Sequence, residues 1–560
     1  MLYSLPAETV LDAREQAERT TRVLFVLILI IYTVFFNLIF AIILICLGKH
    51  FYFFIVKKFW LFNVIATGVA FFTAIIHFWF ARKRALNEIL EQLNAAPSDK
   101  RDEYHKIFIN IVQEAESATG IRPIMAVVIP SAGCNAFSVE DGYHFTAIGV
   151  TEGTLARLDR SELTAVVCHE AAHLVSGDSR LATTVSNILG IFDRLKSLFT
   201  KSKLWQVLSK TRASATLFLA RPFLWFLATL GKFITRFIYM AISRNREFLA
   251  DANAVNMCKD PLSLAEALYK ISQRYRGSFE VPEWFASLFI LNPKVSFLDE
   301  EYSFFANLFS THPPVADRLK KLMTWAKTDV IEIKENLQNG GFQPAVNVAN
   351  SHHLVAENLF SVSEAQKEPP QFFAHINKKW EGPFTPIQIL ALDTIKPSTW
   401  VCSRDNDKIT RAGDNELLLQ LFIKRMSGVV SKNRCPRCNV PLVEKPYEGT
   451  FTLHCNFCSG DLLKYGILEK VIVRKDKGFS KDEIESAKTW RELQKTTIAP
   501  TDGFHEIKCP LCGSLMAKMF HTILTAVVID RCVNKTCRAI WCDGGELEKI
   551  QILVEDAEKT

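Results

Sequence analysis

The sequence predicts a multidomain chain. An N-terminal transmembrane helical hairpin carries a mainly α domain with a small β-sheet, followed by a small α+β module and two cysteine-rich ribbons. Three observations predict this. A length of 560 residues exceeds what one hydrophobic core organises. Two long runs near the N-terminus carry no charge. Of 14 cysteines, nine lie between Cys435 and Cys542, mostly as Cys-x-x-Cys pairs. Such pairs hold metal more often than they form disulfides, and thiolate ligands need a reducing compartment, which places the C-terminal part in the cytoplasm. The net charge of +7 is modest for this length and gives no reason to expect nucleic acid as a partner.

Residues 1–21 form an N-terminal cytoplasmic tail. The charge-free runs from Val23 to Gly48 and from Phe59 to Ala81 each exceed the about 20 apolar residues that span a bilayer. Residues 22–84 therefore read as a hairpin in the lipid bilayer. The partly acidic flank and the missing small-residue cleavage site argue against a signal peptide. Arg14, Arg19 and Arg22 before the hairpin and Arg82, Lys83 and Arg84 after it nearly balance Lys49, Lys57 and Lys58 in its loop. Positive charge alone thus orients the hairpin weakly, and the cysteine argument decides for cytoplasmic termini.

The mainly α domain is expected at residues 85–335. Within it, Asp159 or Ser161 offers a cap to a helix from Leu163 to Val175 that contains His169-Glu170-Ala171-Ala172-His173. A spacing of four puts both imidazoles on one face, where they can bind one Zn²⁺. Glu170 lies beside them as a general base. Cys168 points about 100° away from His169 and is expected to pack in the core. A catalytic zinc takes three protein ligands. Glu247 would be the third, with Asp251 on the same helix face receiving the free N–H of a ligand histidine. An apolar, membrane-apposed insertion is expected at residues 183–242. Its first half is basic and amphipathic, and its second half is apolar but broken by Arg221, Pro222, Lys232 and Arg236. Ordinary core helices are the alternative there.

The order Asn135-Ala136-Phe137, His169-Glu170-Ala171-Ala172-His173, Glu247-x-x-x-Asp251, then Thr311-His312-Pro313-Pro314 with Arg318 resembles the HtpX family of membrane zinc peptidases. The CAAX prenyl protease belongs to the same superfamily. The resemblance covers roughly residues 20–325 and implies a zincin-type (gluzincin) metallopeptidase fold. It implies that His312 stabilises the oxyanion with Arg318 fixing or assisting it. It also implies that Asn135, at the end of the strand Ile124 to Ile129, bonds substrate backbone, and that Tyr143 to Val150 supplies an edge strand for an extended peptide. Two alanines inside the motif stand where relatives often carry a glycine.

Residues 336–370 read as a linker. Residues 371–425 are similar to GYF-type α+β modules. Cys435, Cys438, Cys455 and Cys458 form a four-thiolate set in a first ribbon at 430–470, and residues 471–502 are a helical linker. A second ribbon at 503–552 resembles the TFIIB-type family, with Cys509, Cys512, Cys532 and Cys537 as ligands. Four residues separate its last two cysteines where the family has two, so Cys542 is an alternative to Cys537. One catalytic and two structural zinc ions are expected.

The function expected is a zinc endopeptidase of EC 3.4.24 type in a bacterial inner membrane, acting at the cytoplasmic face on membrane or misfolded proteins. The C-terminal modules would bind a protein partner. The alternative is a catalytically silent membrane scaffold whose ribbons bind proteins.

Overall fold

The computed structural model describes residues 59–201, 246–273, 313–327, 371–404, 409–495 and 507–559 with short gaps, and isolated residues elsewhere. It divides into two compact units, Met1–Val346 and Asn347–Thr560.

The first unit opens with α1 (Phe59–Lys83) and α2 (Ala85–Gln92). Trp60, Val64 and Phe72 of α1 are exposed, and Ala70 is buried. Counted over the described residues, no helix is long and apolar enough to cross a membrane. Most of the run 23–48 lies outside those residues. After β1 (Ala96–Pro97), α3 (Glu103–Thr119) starts where the Asp102 side chain accepts from the backbone N–H of Tyr104 and His105.

Strands β2 (Ile124–Ile129), β3 (Ala136–Glu140) and β4 (Thr146–Thr151) complete a sheet of order β1-β2-β4-β3. β4 runs parallel to β2 and antiparallel to β3. This corrects the expected edge strand. All six residues of β4 are buried in the middle of the sheet, and the edge toward the following helices is β3. A run buried on both faces lacks the alternation that marks an edge. Part of β3 is itself covered: Phe137 bridges Phe289, and Ile290 N–H donates to the Ala136 carbonyl at 2.8 Å.

α4 (Glu152–Arg157) leads into α5 (Arg160–Ser176), the helix predicted from the motif. Its start is a capping box: Asp159 accepts from Glu162 N–H, and the Glu162 side chain returns to Asp159 N–H. Its end is set by Gly177 at φ 78°, a left-handed cap that a side chain would strain. α6 (Asp178–Lys201) follows at once. Leu181, Ala182, Val185 and Leu189 of α6 pack on Val127, Phe137, Val139 and Phe289. Residues 183–187 and Leu189 of the expected membrane-apposed insertion therefore belong to the protein core. Their small and hydroxyl side chains suit close packing on β3. Most of 202–242 lies outside the described residues. α7 (residues 246–258), α8 (Pro261–Gln273) and α9 (Val315–Ala326) complete the unit. They bury Ala254, Leu264, Leu268, Ile271, Leu319 and Leu322 with Leu163, Val166, Val167 and Ala171 of α5.

In the second unit, β5 (Phe372–Ile376), β6 (Lys379–Phe384), β7 (Trp400–Ser403) and β8 (Ile409–Arg411) form an antiparallel sheet of order β6-β5-β7-β8. α10 (Pro386–Ala391) and α11 (Glu416–Lys424) accompany it. Next come β9 (Val429–Arg434), β10 (Pro441–Tyr447), β11 (Thr450–His454) and β12 (Asp461–Leu463). α12 (Ile467–Val473) and α13 (Lys481–Lys495) are followed by β13 (Met516–Phe520), β14 (Val528–Cys532), β15 (Ile540–Cys542) and α14 (Glu546–Lys559). The two expected ribbons are not separate sheets. β12 pairs β15 through Asp461↔Cys542, Leu462↔Trp541 and Leu463↔Ile540, making one seven-stranded sheet from β9 to β13. The helical linker packs on α14: Lys488 Nζ lies 2.6 Å from Asp556, and Ala487 is buried with Ile550 and Leu553.

Candidate active site

The site is built on α5. Its i, i+4 spacing brings His169 Nε2 and His173 Nε2 to 3.2 Å, and α7 supplies Glu247. Glu247 Oε2 lies 3.6 Å from His169 Nε2, and its Oε1 lies 3.7 Å from His173 Nε2. A tetrahedral ion with bonds of about 2.1 Å holds its ligands roughly 3.4 Å apart. The three donors thus match a zinc-sized cation, leaving a fourth position open. Burial works against a charged His169, yet hydrogen bonds to Asp251 and Glu247 outweigh it and push its pKa up to about 9. That anion-rich surrounding favours a cation at the same point.

Glu170 is buried, with no hydrogen-bond partner on its Oε1. Burial raises its carboxyl above the usual carboxylate range. The neighbouring His169 and His173 and a hydrogen bond with Ser138 oppose that rise. A carboxyl so placed is suited to taking and returning a proton near neutrality.

Behind each imidazole stands a carboxylate with a buried arginine. His169 Nδ1 lies 3.0 Å from Asp251 Oδ1, the partnership expected from the helix spacing. Arg318 of α9 grips Asp251 through Nε to Oδ2 at 2.9 Å and Nη2 to Oδ1 at 2.7 Å. Its Nη1 donates to the Ile290 carbonyl at 3.1 Å and lies 3.2 Å from Glu247. Burial disfavours the Arg318 charge, and the two carboxylates more than restore it. Arg318 is fully enclosed and anchors both Asp251, the partner of His169, and the ligand Glu247. Its Nη2 also lies 3.4 Å from His169 Nε2. On the other side, His173 Nδ1 lies 3.4 Å from Asp178 Oδ2, whose Oδ1 is 2.6 Å from Arg246 Nη1.

Asn135 is enclosed as well. It is buried, its Nδ2 donates to the Leu291 carbonyl at 2.9 Å, and its Oδ1 accepts from Ala136 N–H at 3.0 Å and Leu291 N–H at 3.4 Å. Its amide ties β3 to residues 289–291. His312 lies outside the described residues. Cys168 packs in the core as expected.

Ser138, Asp178 and Arg246 were not read as site residues from the sequence. Asp178 directly follows the helix-capping glycine and Arg246 directly precedes Glu247. Adjacency to ligand-bearing segments was the available signal, but only the fold shows that they meet.

In the second unit, Cys435, Cys438, Cys455 and Cys458 gather with their sulfurs within 4.8 Å of one another, as do Cys509, Cys512, Cys532 and Cys537. Cys435 and Cys458 sulfurs are 3.6 Å apart, Cys509 and Cys537 3.7 Å, and Cys512 and Cys532 3.4 Å. Zn–S bonds of about 2.3 Å would place sulfurs roughly 3.8 Å apart, so both sets fit a closed tetrahedral ion. Cys542, the alternative fourth ligand, is buried instead among Leu463, Ile529 and Leu547.

Paired imidazoles one helical turn apart, a carboxylate donor and a buried carboxyl beside them define a metallopeptidase. Peptidase family M48 matches residues 100–326. A Protease HtpX homolog of Caldanaerobacter subterraneus subsp. tengcongensis is 32% identical over 295 residues, 52% of this chain and 93% of that protein. One from Thermoanaerobacter pseudethanolicus is 30% identical over 297 residues, again 52% and 93%. The chain belongs to the HtpX protease homologues of peptidase family M48. The crystal structure of S. mikatae Ste24p aligns at a TM-score of 0.28 and 17% identity, covering 45% of this chain and 57% of that one.

Proposed function

We propose that this chain is a membrane-anchored zinc endopeptidase that hydrolyses peptide bonds of membrane or misfolded proteins at the cytoplasmic face. The observation that carries the reading is the convergence of His169, His173 and Glu247 with the buried carboxyl of Glu170 beside them. A zinc ion held by those three would supply Lewis acidity and acidify water. Glu170 takes the proton of the attacking water and later returns it to the leaving amine. His312 is proposed to donate to the developing oxyanion.

Anchorage is supported by the charge-free run 59–81 and by the exposed Trp60, Val64, Ile65, Phe72 and Trp79 along α1. The two four-cysteine clusters support structural zinc and a reducing, cytoplasmic location for the second unit, in the inner membrane of a bacterium. The two clusters and residues 371–425 are proposed to serve a protein partner. No site residue among those described is missing, so nothing favours the silent scaffold.

The test is cleavage of unfolded casein by the detergent-solubilised protein and by Glu170→Gln, with and without a chelator. Cleavage by the unsubstituted chain alone, abolished by chelation, is expected, with turnover of the variant down by about 10²–10⁴-fold and its zinc retained. Undiminished cleavage by Glu170→Gln would sink the assignment.

A further inference from the structure

We infer that Asp178 and Arg246 are a positioning pair that holds the second ligand imidazole, His173, in its metal-binding orientation and locks it to the segment that carries the carboxylate ligand. The inference rests on the metallopeptidase reading of the site and deepens it. Asp178 is the first residue of α6 and Arg246 the first described residue of α7, so the two come from segments 68 positions apart. Both are buried, at 8% and 7% exposure. Asp178 faces two groups at once. Oδ2 lies 3.4 Å from His173 Nδ1, and Oδ1 lies 2.6 Å from Arg246 Nη1. Among the described residues Asp178 is the one carboxylate within ion-pairing distance of Arg246.

Three features make this more than a structural ion pair. The carboxylate meets the nitrogen of His173 that points away from Glu247, so it fixes the tautomer that leaves Nε2 free as a donor. Gly177, in the left-handed conformation, turns the chain sharply enough to bring Asp178 back under His173. Arg246 is bonded in sequence to Glu247, so the same ion pair ties the position of His173 to that of the third ligand. The arrangement mirrors His169, Asp251 and Arg318 on the opposite side of the donor set.

The prediction is read on zinc affinity, not on turnover. Full-length Asp178→Ala, Arg246→Gln and the double variant, with both four-cysteine clusters already loaded with zinc, are titrated with further Zn²⁺ against a chromophoric chelator, and the thermal midpoint of each before that addition, with the histidine site metal-free, is recorded. Asp178→Ala should weaken zinc by about 10- to 100-fold, as removal of an outer partner of a ligand histidine does. The double variant, which buries neither charge alone, should regain much of the metal-free midpoint without regaining zinc affinity. Restoration of both in the double variant would overturn the inference and leave an ordinary structural ion pair. So would zinc affinity within about threefold of the unsubstituted chain in Asp178→Ala. Should Asp178→Ala fail to fold, the double variant alone still decides, since its affinity is either near the unsubstituted value or well below it. Failure of the peptidase reading shows separately, as an unsubstituted chain that binds zinc tightly and cuts nothing.

Discussion

Arg318 illustrates how a residue's role follows from what encloses it. In sequence it stands six positions after His312, and an assisting role toward the oxyanion fits that neighbourhood. In the fold its guanidinium is fully buried between Asp251, Glu247 and the Ile290 carbonyl. A buried charge that loses its partner costs about 3–5 kcal/mol. Arg318→Leu is therefore expected to destabilise the metal-free protein by about that amount and to weaken zinc binding, since two carboxylates are left uncompensated beside the ligands. Chemical denaturation and zinc titration check this. An oxyanion donor would instead show lost turnover with stability and zinc unchanged.

At the scale of elements, two packing arrangements are open to test. Phe137 on β3 lies across Gly149 on the neighbouring β4, the two being register partners. A Cβ at position 149 would run into the Phe137 ring, which also packs on Phe289 at 5.4 Å between centroids. Gly149→Ala forces that ring or the strand to move, and overpacking of this kind costs roughly 1–3 kcal/mol. A lowered thermal midpoint is expected, with Phe137→Leu in the same chain recovering part of it. The second arrangement is the β13–β14 connection, where burial pushes His521 down to about 4. The neutral imidazole is the form the fold accepts. Its stabilising contribution is complete above the unfolded value near 6.5 and is lost as pH falls from there toward 4. Relative to His521→Gln, the unsubstituted chain should lose on the order of 3 kcal/mol over that interval. Denaturant unfolding at pH 7 and pH 4 measures the difference, and equal losses in both chains would refute the assignment.

For the molecule as a whole, the consequence of the seven-stranded sheet is cooperativity. The two cysteine clusters sit at the ends of strands and in the loops of a sheet joined through β12 and β15, and Arg437 beside the first cluster bonds Asp530 at 3.1 Å and Asp543 at 2.9 Å from the second ribbon. Each cluster's metal is thereby expected to stabilise both halves. Cys455→Ser should lower amide hydrogen-exchange protection in β13, β14 and β15 as well as in β10 and β11. Protection lost from β9, β10, β11 and β12 alone would show two independent ribbons.

The sequence alone determined the chemistry-bearing segments of this protein. The histidine pair, Glu170 and the capped helix that carries them are written in local spacing, because an α-helix repeats every 3.6 residues whatever surrounds it. Glu247 with Asp251 and the paired cysteines were legible for the same reason, being fixed by distances of three or four positions. What depended on contacts between distant segments had no such local trace. That β4 is central and β3 the edge, that Asn135 spends its amide on Leu291, and that Asp178 meets Arg246 are facts of strand order and helix packing. So too is the choice of Cys537 over Cys542. Both cysteines are close enough in sequence to serve, and only the pairing of β15 with β12 turns Cys542 into the core and leaves Cys537 facing its three partners. Local periodicity places donors along a chain, whereas long-range pairing decides which of them share one point in space.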